Sequence, residues 1–170
     1  MIFPLRRRAQ AGGVGRRLYE SAVRQARTPA LYAVMGAPDT VEGRFELLSL
    51  HVILLIEALN GEGAAACRQA LFDAFVGDLD GAMREMGVGD LAIGKRMRAL
   101  GGAFYGRAAN YRKAFETLPE RASLESLISR TILAGAPDAS PSAVASYAID
   151  CREALVSQNL LENEPAWPTA

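Results

Sequence analysis

The chain has 170 residues, 50% hydrophobic, 22% charged and only 7% aromatic, with a formal net charge of zero. That is the length of one domain able to bury a core, with the composition of a soluble globular protein. Cys67 and Cys151 lack CxxC spacing, which excludes a disulfide framework and suits a reducing compartment.

Residues 1–13 combine Pro4, the triple arginine Arg6–Arg8 and Gly12-Gly13, and are expected to be a flexible basic terminus. Met1, Ile2, Phe3 and Leu5 beside those arginines can rest on a membrane surface; fraying is the plainer reading. The apolar stretch ahead of the arginines is too short, and its charges are on the wrong side, for a secretory signal. A first helix is expected over about 14–27, with Val14, Leu18 and Ala22 on its apolar side. Thr28 as cap and Pro29 at the first position open a second, to Met35, closed by Gly36.

The third helix runs from about 40 to 59, capped by Asp39 or Thr40; if Asp39 caps, Glu42 completes a capping box. Val41, Phe45, Leu48, Val52 and Leu59 form its main apolar line, and Leu47, Leu50, Ile53 and Leu54 spread hydrophobicity around it, the mark of a central helix. Its most apolar run, Leu47 to Ile56, is ten residues including Ser and His, short of the roughly 20 needed to span a membrane.

The fourth helix, about 63–86, carries Gly77 and Gly81, each costing about 1 kcal/mol relative to alanine. Set four apart, they admit a close neighbour; fold packing is the blander reason. Gly87-Val88-Gly89 turns the chain and Asp90 caps a fifth helix. There Ile93, Met97, Leu100, Phe104, Ala108, Tyr111 and Phe115 form a regular seam. Lys95, Arg98, Tyr105, Arg112 and Lys113 face the other way, with Arg96 and Arg107 on one flank. No carboxylate lies between Leu91 and Phe115. A sixth helix over about 120–134 and a seventh over about 141–161, capped by Ser140 with Pro141 first, complete a single all-α domain over 14–161, with an extended tail over 162–170.

The zero net charge hides an asymmetry: residues 1–27 carry seven arginines against Glu20 alone, and residues 114–170 carry three arginines against eight acids. Basic zones at the N-terminus and over 94–113 suit phosphates or acidic lipid headgroups, or are solvated faces.

Catalytic and metal chemistry is not indicated. His51 is the sole histidine, can supply one ligand where zinc needs three or four, and reads as a satisfied structural group. It falls on the same side of its helix as Arg44, so both can edge one cleft. Asp80 and Arg84 have the spacing of a solvated ion pair, the serines lack a nucleophile context, and Gly87-Val88-Gly89 lacks the strand and third glycine of a dinucleotide fingerprint. Gly102 and Gly106 thin the fifth helix beside its cations. The stretch over 77–111 thus reads as a binding surface, with Lys95, Arg96, Arg98, Tyr105, Arg107 and Arg112 as contact residues. Gly77, Gly81, Met83 and Met86 border a groove.

Two segments, DTVEGRFE with the LH that follows and DLD…MREMGVGDL…KRM…FYGR, resemble the ubiquinol–cytochrome c chaperone family, the likeness covering about residues 18–134. The resemblance implies a non-enzymatic assembly factor for the cytochrome bc1 complex that binds newly made apocytochrome b at the membrane or ribosome, and it supplies no catalytic residue. The short N-terminus suits a bacterial member, in the cytoplasm or peripheral at the inner face of the membrane. The resemblance leaves a partner subunit open and implies no cofactor and no DNA. Two alternatives stand beside it: a ribosome- or RNA-binding adaptor using the cationic helix, which lacks an RNA-binding signature, and a haem or quinone carrier using His51.

Overall fold

The alanine-, leucine- and arginine-rich segments all become helix, as their propensities direct. The computed structural model describes residues 3–170, apart from the side chains of residues 3–8 and Leu91. Expectations placed on Met1, Ile2 and the side chains of Arg6–Arg8 fall outside the described residues. The helices are α1 (Phe3–Ala26), α2 (Pro29–Ala33), α3 (Val41–Ala58), α4 (Ala64–Glu85), α5 (Asp90–Glu116), α6 (Ala122–Arg130) and α7 (Pro141–Val156), with no strand among the described residues.

The expected irregular stretch before Val14 is instead helical from Phe3. Pro4 sits in the first turn, where its missing N–H is not needed, and the chain through Ala11 is made of good helix formers. Burial of Ala11 and Leu18 in the core offsets Gly12 and Gly13. Gly15 has a packing reason. A Cβ there would stand 2.6 Å from the Ala70 carbonyl carbon and Cβ, so its absence lets α1 and α4 touch backbone to backbone. Gly15 faces Ala70, and Tyr19 donates to Asp78 at 2.6 Å, so the two helices run parallel. The close approach expected at Gly77 and Gly81 is not made there: a Cβ on either would meet nothing within 4 Å.

α3 is the central helix, packed against α1, α4, α5 and α7. Leu47, Leu50, Val52, Ile53, Leu54 and Leu55 are all at most 1% exposed. Thr40 is its cap, accepting from the Gly43 N–H at 3.1 Å, while Asp39 pairs with Arg44 at 2.5 Å rather than capping. Thr28 and Ser140 hold cap positions without a side-chain bond. Asp90 is the first residue of α5, not its cap; the cap is Gly89, because Asp90 is drawn to Arg84 at 2.6 Å. α6 ends at Arg130, where Thr131 turns its hydroxyl back to the Leu127 carbonyl at 2.8 Å.

His51 is fully buried in α3. Its Nδ1–H donates to the Leu47 carbonyl at 2.7 Å, so Nε2 accepts the Tyr147 hydroxyl proton at 2.7 Å, and Gln25 donates to that hydroxyl at 2.9 Å. The Trp167 ring meets the imidazole edge-on at 5.1 Å and donates its indole N–H to Ser21 at 3.0 Å. Gln158 clamps Ala166 through both its N–H and its carbonyl, so the extended tail is strapped onto the bundle. His51 therefore does not edge a cleft with Arg44, which is exposed. With both ring nitrogens engaged it has no lone pair for a haem iron.

Burial lowers the His51 pKa from 6.5 to about 4. Between those values the unfolded chain binds a proton that the folded one refuses, so stability falls as pH drops through this window and the loss is complete below about 4. The His51 contribution is up to about 3 kcal/mol. Denaturant midpoints compared at pH 7 and pH 4.5 should fall further for the native chain than for His51→Gln; equal falls would place the acid sensitivity elsewhere.

Candidate functional site

The C-terminal ends of α1 and α4, α2, the first turns of α3 and the N-terminal half of α5 surround an open groove of about 710 Å³. The sequence builds it in two steps. Gly87, at φ +79°, reverses the chain after α4, and α5 then runs back across α3. The α5 seam is deeply buried at Ile93, Phe104, Tyr111 and Phe115, but between them Met97 and Leu100 are only half-buried. The groove walls are apolar: Val23 and Ala26, Tyr32, Val41, Phe45 and Leu48, then Leu79, Ala82, Met83 and Met86, and across from them Ala99, Leu100 and Ala103. Val41 is 64% and Met86 60% exposed at its rim.

α5 acts as a partition. Arg96, Ala99, Leu100, Ala103 and Arg107 face the groove, while Phe104, Tyr105, Ala108 and Arg112 face a smaller depression of about 290 Å³ with Phe72 and Ile56. Tyr105, 60% exposed, lies 5.2 Å from the Phe72 ring. It therefore belongs to a different face from Met86.

The electrostatics divide the α5 cations further. Arg107 grips the buried Glu46 of α3 through Nε at 2.8 Å and 2.5 Å and also through Nη2. The carboxylate raises the guanidinium pKa against the lowering effect of burial. Arg112 pairs with Glu57 of α3 at 2.5 Å, an exposed contact worth at most about 1 kcal/mol. Lys95, Arg96 and Arg98 are exposed and make no ion pair among the described residues. The expected one-signed polar face is thus two groups: cations that tie α5 to α3, and cations left to solvent. On α4, Arg84 joins Asp80 at 2.8 Å as its spacing foretells, with Asp90 added. Tyr19 reaches Asp78, and burial followed by that carboxylate raises its pKa.

Of the expected groove residues, Met83 and Met86 line the groove, whereas Gly77 and Gly81 do not. The opposite wall, with Val41, Phe45, Leu48, Val23, Tyr32 and Arg27, was not foreseen. One signal was available. Glu46 adjoins the most apolar run of α3, where a buried carboxylate needs a cation, and the stretch between Leu91 and Phe115 offers cations with no acid among them, which points to α5 lying across α3.

The arrangement defines a class: an all-α bundle with an open apolar groove and no metal-ligating cluster among the described residues. Residues 33–162 match the model of the Ubiquinol-cytochrome C chaperone family, and the chain belongs to that family. Its fold matches the crystal structure of the Cbp3 homolog from Brucella abortus with a TM-score of 0.82 and 32% identity, over 99% of this chain and 97% of that one. Comparison with curated proteins gives no match.

Removing one partner of a buried pair leaves an uncompensated charge, at about 3–5 kcal/mol. With the Arg107 side chain 27% and Glu46 9% exposed, Arg107→Ala should lose about 3 kcal/mol by chemical denaturation, and Glu46→Leu with Arg107→Leu should recover most of it. Near-native stability of Arg107→Ala would return Arg107 to the surface cations.

Proposed function

We propose that this protein is a non-enzymatic assembly factor of the cytochrome bc1 complex, which holds newly made apocytochrome b by laying an apolar segment of it in the α1–α5 groove. The observation that carries this reading is the meeting of the two segments that bear the family resemblance. Val41, Arg44, Phe45 and Glu46 come from DTVEGRFE; Leu79, Met83, Met86, Arg96 and Arg107 come from the segment that spans α4 and α5. Distant in sequence, they face each other across one groove.

The groove suits such a client physically. Its walls are helices with side chains at i, i+3 and i+4, the shape that receives an amphipathic or apolar helix, and Met83 and Met86 adapt to varied side chains. The client's membrane-spanning segments must be shielded before they are placed, and shielding needs binding and release rather than a reaction. No helix among the described residues is long and apolar enough to cross a membrane, so the chain meets its client peripherally, at the inner face of the cytoplasmic membrane or at the ribosome making it.

A photoreactive residue at position 86 or 41, in cells making cytochrome b, should yield an adduct with apocytochrome b. The same residue at position 105, across the α5 partition, or at position 156 on α7, should not. Adducts from position 105 alone would move the client to the smaller depression, and adducts with neither face would remove apocytochrome b as the client.

A further inference from the structure

The groove mouth collects cations that no other part of the fold uses. Arg27 at the end of α1 and Arg96 on α5 both line it, with Lys95 and Arg98 beside Arg96 on the protruding start of α5. All four are exposed and make no ion pair among the described residues. The same end carries Val34, Val41 and Met86, at 79%, 64% and 60% exposure, while Tyr105, as exposed as Met86, stands across α5 from them. Cations interleaved with exposed apolar groups are the chemistry of a lipid interface, where charge meets anionic headgroups and the apolar groups enter the acyl boundary. A nucleic acid would use the cations and leave the valines and the methionine in water, so a lipid surface fits better than RNA.

The topology makes this end distinct. α1 runs unbroken beside α4 and parallel to it, which sets residue 7 and Arg27 about 30 Å apart along the helix. The backbone of residues 6–8 therefore lies at the opposite pole. The remaining arginines near the mouth are already committed, Arg44 to Asp39, Arg84 to Asp80 and Asp90, and Arg107 to Glu46.

We infer that the end bearing Arg27, Lys95, Arg96, Arg98, Val34, Val41 and Met86 rests on an anionic bilayer surface, so that the groove opens toward the membrane. The inference deepens the client reading above and relies on it for the groove's purpose, but lipid binding is measurable alone. The purified full chain should co-sediment with vesicles of phosphatidylglycerol and phosphatidylethanolamine at low salt, and much less with phosphatidylcholine vesicles. Replacing Lys95, Arg96 and Arg98 together by Gln should lower the partition coefficient on the order of 100-fold, at roughly fivefold per charge. Met86→Asp should weaken binding further in a manner that high salt does not erase. Lys113→Gln, Arg121→Gln and Arg130→Gln together remove equal charge elsewhere and should have little effect; circular dichroism confirms that each variant folds. Equal loss in the two triple variants would overturn the proposal, as would dependence on Arg6–Arg8 alone. Salt-sensitive RNA binding that falls with the three tip cations while ignoring Met86→Asp, without vesicle binding, would overturn it in favour of an RNA contact. If vesicle binding fails while position 86 still captures apocytochrome b, the membrane orientation falls and the client reading stands.

Discussion

Glu46 is a buried carboxylate on the central helix. Charge in that setting costs several kcal/mol unless a cation meets it with good geometry, and Arg107 does so with a forked guanidinium. The pair fixes where α5 crosses α3. Beyond it, toward the N-terminus of α5, α3 runs out within two turns, and the seam is only half-buried at Met97 and Leu100 before Ile93 is buried again. The groove lies along that half-covered part of the core, where one long helix crosses a shorter one at a point pinned by charge.

The same crossing explains the fate of the other α5 cations. Arg107 and Arg112 lie opposite the carboxylates of α3, Glu46 and Glu57, and are drawn to them. Lys95, Arg96 and Arg98 lie beyond the reach of α3 and remain in solvent. A helix without a single acid between its ends is thus half structural and half surface, and the boundary is set by the length of its neighbour. On the far side of α3, His51 is satisfied by Leu47 and Tyr147 and covered by the Trp167 tail. Glu46 on one side of the central helix and His51 on the other are therefore spent on fold integrity, which leaves the groove walls beside them apolar. The chain belongs to the ubiquinol–cytochrome c chaperone family, and in the function we propose that surface receives its client.

Much of this was readable from the chain. Helix number, the central place of α3, the buried structural role of His51 and the Asp80–Arg84 pair follow from periodicity and spacing, which are local properties. The errors are equally physical. Asp39, Asp90, Thr28 and Ser140 were all good caps by type, yet the aspartates found arginines and only Thr40 bonded a backbone N–H. Gly12 and Gly13 suggested irregular chain, yet both lie within α1, and it is Gly15, inside the expected helix, that seats α1 on α4. Gly77 and Gly81 suggested a close approach and face open space. A glycine announces that a side chain is absent; what passes there depends on a helix distant in sequence.

The sequence by itself determined an all-α domain, an apolar central helix, a one-signed fifth helix and, through its motifs, the family. Helical period and charge are written residue by residue, and they need no knowledge of neighbours. Only the tertiary structure decided that α5 divides two surfaces, that Tyr105 and Met86 lie on different ones, and that Arg107 is structural where Arg96 is free. Those distinctions depend on which helix ends where, a long-range consequence of packing and of the Glu46–Arg107 contact across 61 residues of chain.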